Sequence, residues 1–313
     1  MITIDDILSA QERIAHFIRR TPVLSAMQMR DAGGLEGRVT LKLEFLQAAG
    51  SFKARGAMNR LKTLPPERLR HGLVTASGGN HGLALARTAQ VAGVAAKIFL
   101  PSNVAPDKVA KLKGWNGSVE IVGSVWDEAN EAALAFSAET GATYVHPFSD
   151  PVVVAGQGTL GLEILDDMPD VDTILVAIGG GGLIAGLSTA VKARRPQVKV
   201  IGIEPVGSPT LHACLEAKRL VTLDTVSTRV PTMACRRTDE VIFQTVIRHV
   251  DDVVLVTDDE MQAAARWLWF EFGIAADLSG AASIAALRAG KVPRSADDHV
   301  CALICGAGTD GMA

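Results

Sequence analysis

Three consecutive passages between Thr173 and Arg194 leave few folds open to this chain. Thr173–Ile178 is a short, nearly continuous apolar run, Gly179–Gly182 is four glycines in a row, and Leu183–Arg194 follows a helical pattern stopped by Pro196. An apolar run of that length, bounded by glycine, reads as a strand covered on both faces, which is how strands of parallel sheets are built. The alternation recurs along the chain. Val39–Phe45, Leu73–Ala76, Ala95–Leu100, Val198–Glu204, Asp252–Val256 and His299–Ile304 read as strands. Lys53–Lys62, Gly82–Ala92, Gly156–Asp167, Asp258–Glu271 and Ser279–Arg288 read as helices, and Ser208–Arg237 is expected to hold a helix and an irregular loop. Strands alternating with helices predict an α/β protein. The units between residues 70 and 147 are expected to form a small, mobile, substrate-side domain inserted in a larger one made of 1–65 and 150–313.

Bulk properties exclude several functions. With 313 residues, 48% apolar and 21% charged, the chain suits a soluble protein with a large core. A net charge of −3 gives no basic footprint for nucleic acid and no polybasic patch for a membrane. No apolar stretch approaches the ~20 residues that span a bilayer. Met1–Asp6 is acidic and leads into a helical pattern, unlike a signal peptide. Cys214, Cys235, Cys301 and Cys305 lack metal-ligand spacing and are expected to be reduced, which points to the cytoplasm.

Three segments carry chemistry. The glycines ahead of Leu183 let backbone N–H groups approach an anion, and the following helix adds its positive end. No Gly-Lys-Ser/Thr follows, and no dinucleotide fingerprint is present, so a monophosphate fits best. Read alone, the glycines equally make a tight turn. Lys53 opens a predicted helix, where a cation is disfavoured, and burial would lower its pKa further. Both effects favour the neutral amine that Schiff-base chemistry requires, although a lysine in isolation is usually solvated. Ser77-Gly78-Gly79-Asn80-His81 lies between a predicted strand and a helix. Its amides and hydroxyl suit a carboxylate and the Asn80 amide suits a phenolic oxygen; the bland reading is a capped turn. An amine, an anion loop and a phosphate cradle are the protein-side needs of a pyridoxal 5'-phosphate enzyme.

In its ordered motifs the chain resembles the fold-type II pyridoxal phosphate enzymes, in the threonine/serine dehydratase and serine racemase branch. The resemblance rests on Thr21-Pro22, Leu41-Lys42-Leu43-Glu44, Gly50–Ala57, Ser77–Gly82, Gly156-Gln157-Gly158-Thr159, Gly179–Leu183 and Cys305-Gly306. It implies two open, twisted, mostly parallel sheets flanked by helices, as in tryptophan synthase β. It also implies that Lys53 binds the cofactor and is the catalytic base, and that Phe52 flanks the ring. Asn80 would bond the phenolic oxygen, Gly179, Gly180, Gly181, Gly182 and Leu183 would hold the phosphate, and Cys305 would face the pyridine nitrogen. A thiol cannot hold that nitrogen protonated as a carboxylate would, which suits β-elimination. Ser77, Gly78, Gly79 and His81 are assigned to the substrate side, His81 as an orienting group without a catalytic role. The implied reaction converts a 3-hydroxy L-amino acid, threonine or serine first, to a 2-oxo acid and ammonia, in a homodimer. Too little chain follows Cys305 for the regulatory domain of biosynthetic relatives, so isoleucine feedback is not expected.

The departures lie on the substrate side. Gly78 replaces a second serine that related racemases use as acid/base, which argues for a lyase. Glu204 matches one metal ligand of some relatives, but Thr210 stands at the second position, so no metal is expected. Asp277 replaces a glutamate, and Val230-Pro231-Thr232 replaces an Ala-Asp-Gly segment. Arg236 and Arg237 lie near that segment, where they could pair a second carboxylate or simply be surface charges. A dehydratase for 3-hydroxyaspartate or phenylserine, an amino acid racemase and a catalytically silent cofactor-binding protein therefore stay open.

Overall fold

A computed structural model describes residues 1–102, 104, 106–124, 126–295 and 297–312. Among the described residues, ten strands fall into two sheets: β1 (Val23–Ser25), β2 (Val39–Lys42), β3 (Leu73–Ala76), β4 (Ala96–Leu100), β5 (Ser118–Ile121), β6 (Thr143–Tyr144), β7 (Thr173–Ala177), β8 (Lys199–Pro205), β9 (Asp252–Val256) and β10 (Val300–Leu303). The larger sheet has the order β1-β2-β10-β7-β8-β9, and the smaller β5-β4-β3-β6. Every pairing is parallel except β1 with β2. The α/β class and the two mostly parallel sheets are thus as the sequence implies.

Burial explains the order. Every residue of β3, β7 and β10 is buried, whereas β1 is exposed throughout and sits at an edge. Strands that read as unbroken apolar runs take the interior, because helices cover both of their faces. Ser118–Ile121, with three of its four residues exposed, is likewise an edge strand.

Glycine sets the depth at which the central helices pack. A Cβ at Gly186 would lie 2.3 Å from Val154 O, and one at Gly161 would lie 2.8 Å from Leu187 O. The helices Pro151–Asp167 and Gly182–Arg194 therefore meet backbone to backbone. The helix Lys53–Lys62 docks on the first of these in the same way, since a Cβ at Gly156 would lie 2.7 Å from Gly56 Cα. Its bounds match the sequence reading, and Lys53 is its first residue.

Some elements differ from expectation. Glu240–His249 forms a helix over a stretch left unassigned, with Ile242, Phe243 and Val246 buried at helical spacing. Pro151, at the first turn of Pro151–Asp167, starts that helix five residues before the predicted Gly156, with Asp150 as its cap. Among the described residues, no helix is long and apolar enough to cross a membrane.

Candidate active site

Lys53 begins its helix behind Phe52, which gives no side-chain cap. Its Nζ donates to Pro147 O at 2.6 Å and lies 5.1 Å from the centre of the Phe52 ring. Burial lowers the amine to about 8, so its neutral form is far more populated near physiological pH than that of a solvated lysine. Two left-handed residues, Ala49 and Gly50, turn the chain into this position. Ser51 then pairs with Gly306, and Phe52 N donates to Cys305 O at 3.2 Å. The segment that follows β10 thus runs beside the start of the lysine's helix. Ser51 Oγ is buried and has no partner among the described residues.

The segment after β6 supplies the other wall. His146 Nδ1 accepts from the Phe148 and Ser149 amides at 3.2 and 3.0 Å, and its ring meets Phe148 edge-on at 4.6 Å. Burial, and then the nearby Lys53 charge, hold His146 down at about 4, so the ring is neutral. Phe148 packs against the glycine loop, since a Cβ at Gly180 would lie 2.3 Å from its ring. A Cβ at Gly182 would lie 2.6 Å from Phe148 O, and one at Gly179 would lie 2.6 Å from Thr232 O. Gly181 has a φ of +89°. None of the four positions has room for a side chain without strain. The loop leads into Gly182–Arg194 with no side-chain cap, and the first amides of a helix have no acceptor within it. Thr238 Oγ1 donates to Gly180 O at 3.0 Å and fixes the loop from outside.

Asn80 opens the helix Asn80–Ala92, and its Nδ2 donates to Asp277 Oδ2 at 2.8 Å. Ser77 Oγ accepts from Gly79 N at 3.3 Å. A Cβ at Gly78 would lie 2.6 Å from Val104 Cγ2, so valine fills the space that a longer residue would need. Thr232 reaches the same loop, its Cγ2 lying 3.4 Å from a Cβ built at Gly79. His81 is buried, with Nε2 3.0 Å from Val145 O; burial lowers it to about 3, so the neutral ring donates from that nitrogen. Cys305 Sγ donates to Ser279 O at 3.5 Å, and burial pushes its thiol far up, so it stays protonated.

Both oxygens of Glu204 are occupied by backbone: Oε1 accepts from Leu211 N at 2.8 Å and Oε2 from His212 N at 2.9 Å. Burial pushes its carboxyl up to about 7, while the Thr210 hydroxyl donates to Cys235 O. Arg236 Nε donates to Leu223 O at 2.9 Å and Arg237 Nη1 to Thr222 Oγ1 at 2.7 Å, and both side chains are exposed.

Sequence reading did not single out His146, Pro147, Phe148, Val104 or Thr238 as parts of the site. The rings of Tyr144, His146 and Phe148 touch in series, and their spacing of two along the sequence is a signal that could have marked a wall. Pro147 acts through its carbonyl alone, which leaves no trace in residue type.

The donor set fits pyridoxal phosphate: an amine for an aldehyde, bare amides at a helix end for a phosphate, and the Asn80 amide beside Gly306 for a phenolic oxygen. The family described as pyridoxal-phosphate dependent enzyme matches residues 14–306. The chain is 39% identical over 287 residues to the L-threonine ammonia-lyase of Thermotoga maritima, covering 92% of this chain and 71% of that protein. It is 37% identical over 315 residues to the catabolic L-threonine dehydratase TdcB of Staphylococcus aureus, covering 99% and 90%. Among solved structures it is similar to maize serine racemase, with a TM-score of 0.92, 32% identity and coverage of 98% and 93%. It is also similar to the processed form of threonine deaminase isoform 2 from Solanum lycopersicum, with a TM-score of 0.90, 32% identity and coverage of 97% and 83%.

Proposed function

The chain belongs to the pyridoxal-phosphate dependent enzyme family, and from that premise we propose that it is a threonine/serine dehydratase. It would convert a 3-hydroxy L-amino acid to a 2-oxo acid and ammonia. The observation that carries this reading is the Lys53 amine, held at 2.6 Å by Pro147 O at the start of its helix. When bound, the cofactor supplies an aldehyde for that amine and a conjugated ring that takes up the electron pair left at Cα.

The protein's own groups do the rest. Lys53 would hold the cofactor, Phe52 flank it, Asn80 donate to the phenolic oxygen, Gly179–Leu183 cradle the phosphate and Cys305 face the pyridine nitrogen. Ser77, Gly78 and Gly79 would bind the substrate carboxylate through amides and a hydroxyl. The Lys53 amine would take the proton from Cα as the single base. The β-hydroxyl leaves as water, and a water returns when the carbon–nitrogen bond is hydrolysed, so the products are a 2-oxo acid and ammonia.

Gly78 favours elimination over racemisation. It has no proton to give, and Val104 already fills the space beside it. Residues 70–147, which contain β3 to β6, serve in this reading as the small substrate-side domain, closing on a large domain of 1–65 and 150–313. A homodimer in the cytoplasm completes it.

The test is an absorbance spectrum of purified protein with pyridoxal 5'-phosphate, followed by 2-oxo acid release from a panel of 3-hydroxy amino acids. A lysine-dependent band that vanishes in Lys53→Ala, with product from threonine or serine, supports the dehydratase. A band with no product from any substrate would sink it.

A further inference from the structure

Asp277 has no part in the chemistry above, yet three donors converge on its carboxylate. Oδ1 accepts from Gly280 N and from Ser279 Oγ, both at 2.6 Å, and Oδ2 accepts from Asn80 Nδ2 at 2.8 Å. The first bond caps the helix Leu278–Arg288. A cap needs no charge, because serine, threonine or asparagine would do the same work. Burying an ionised carboxylate for a cap alone is unfavourable, and burial does push Asp277 up. The other two bonds lead to opposite sides of the site.

On one side, Asn80 uses one of its two N–H groups on Asp277. That fixes the plane of the amide and commits its nitrogen, with the second N–H, to a set direction. On the other side, an ionised carboxylate only accepts, so the Ser279 hydroxyl proton is committed to Asp277. The Ser279 oxygen is left to accept, and Cys305 Sγ lies 4.0 Å from it and 3.5 Å from Ser279 O. The backbone joins the two sides. Asp277 N donates to Gly306 O at 3.0 Å, and a Cβ at Gly306 would lie 2.6 Å from Asp277 Oδ2 and 2.8 Å from Asn80 Nδ2. The strand end that carries Cys305 therefore passes directly against the Asn80–Asp277 bond.

We infer that Asp277 is a positioning residue for the cofactor. By gripping Asn80 and Ser279 together, it fixes the amide that meets the phenolic oxygen and the residue whose carbonyl takes the Cys305 thiol proton beside the pyridine nitrogen. The inference rests on the cofactor reading proposed above. It adds a link between the residues that would meet the phenolic oxygen and those that would meet the pyridine nitrogen, made by one carboxylate. The titratable groups facing this region are Asp310 and Cys305 beside Asp277, with His81, His146 and Cys235 facing Lys53.

The test follows the absorbance of protein loaded with pyridoxal 5'-phosphate across pH in the wild type, Asp277→Asn, Ser279→Ala, Asn80→Ala and the Asn80→Ala/Asp277→Asn double variant. Asp277→Asn keeps the cap and the shape but removes the charge. Losing the carboxylate's grip weakens the Asn80 donation that stabilises the phenolate of the deprotonated chromophore, so the titration midpoint rises by about one unit or more. Ser279→Ala, which keeps both cap and charge, shifts the midpoint the same way by less. In the Asn80→Ala background the Asp277→Asn shift shrinks by more than half, because the residue acts through Asn80. Wild-type titration in both Asp277→Asn and Ser279→Ala overturns the inference while leaving the cofactor reading intact. An undiminished shift in the Asn80→Ala background assigns the effect to distant charge and overturns it too. If Asp277→Asn does not fold, Ser279→Ala decides alone. Absence of any Lys53-dependent band in the wild type removes the cofactor reading and this inference with it.

Discussion

At the scale of single residues, the site is governed by what burial does to Lys53 and by how little space surrounds Gly78. An amine at about 8 in the fold and about 10.4 in the unfolded chain releases its proton earlier when folded. Between those values the unfolded state binds more protons, so the cofactor-free protein gains stability as pH rises through that window. Urea unfolding of cofactor-free protein at pH 8 and pH 10 should show that gain, and Lys53→Met should abolish it. A lysine titrating normally would show the same stability difference with and without the substitution. Gly78 gives a second residue-scale expectation. Gly78→Ser must push Val104 aside, so it should raise KM for the amino acid at least tenfold; pairing it with Val104→Ala should recover most of the loss. If Gly78→Ser binds substrate normally, the steric argument fails.

At the scale of elements, two devices hold the catalytic parts in register, and they differ in how much of each can be read from sequence. The glycine loop was legible because four glycines between an apolar strand and a helix allow few structures. What the sequence hides is the partner, Phe148, whose ring lies where a side chain at Gly180 would go. Gly180→Ala should weaken cofactor affinity about tenfold or more in a fluorescence titration, and Phe148→Leu should restore part of it. The second device is the buried ion network behind the helix Lys53–Lys62. Arg55 donates to Glu44 at 2.6 and 2.9 Å and to Glu163 at 2.8 Å, while Lys42 Nζ lies 2.7 Å from both Glu163 and Asp167. Lys42, Glu44 and Arg55 stand in motifs recognised by resemblance, whereas Glu163 and Asp167 do not, and the pairing of the five is a three-dimensional fact that no local pattern encodes. Arg55→Met leaves Glu44 and Glu163 short of a partner in the interior and should destabilise the protein by about 3–5 kcal/mol in urea unfolding. The helix Glu240–His249 went unread although its buried residues keep helical spacing, while Thr143–Tyr144 is too short for any period to show.

At the scale of the whole molecule, the question is how the two sheets are joined so that a loop on one can serve a lysine on the other. The helix Lys53–Lys62 works as the wedge between them. Its Gly56 meets Val153 on the large-sheet side, and Met58 and Leu61 share a core with Leu73, Leu85, Ala89 and Ala96 on the small-sheet side. That apolar contact is costly to break, because doing so would expose a whole core. The contacts at the mouth are of another kind: Asn80 with Asp277, 197 residues apart, and Gly79 beside Thr232. Separations of that size explain why the strands could be read along the chain while the joint could not. A single hydrogen bond contributes only about 0.5–1.5 kcal/mol net, so on the proposed two-domain reading the mouth would open without unfolding either sheet. A ligand bound at Ser77–Gly79 would shift that balance toward the closed form by its preference for it. L-Alanine, which carries the carboxylate but no β-hydroxyl to lose, should therefore slow amide hydrogen exchange at Gly79–Leu83 and at Thr232–Met233 in the cofactor-loaded protein. Exchange in β7 and β10, buried in the large sheet, should not change. Asp277→Asn should blunt the protection at Gly79–Leu83, because it weakens the bond that holds the helix Asn80–Ala92 across the joint. Equal protection in β7 would mean that ligand tightens the entire fold, and the mouth would then not be the part that moves.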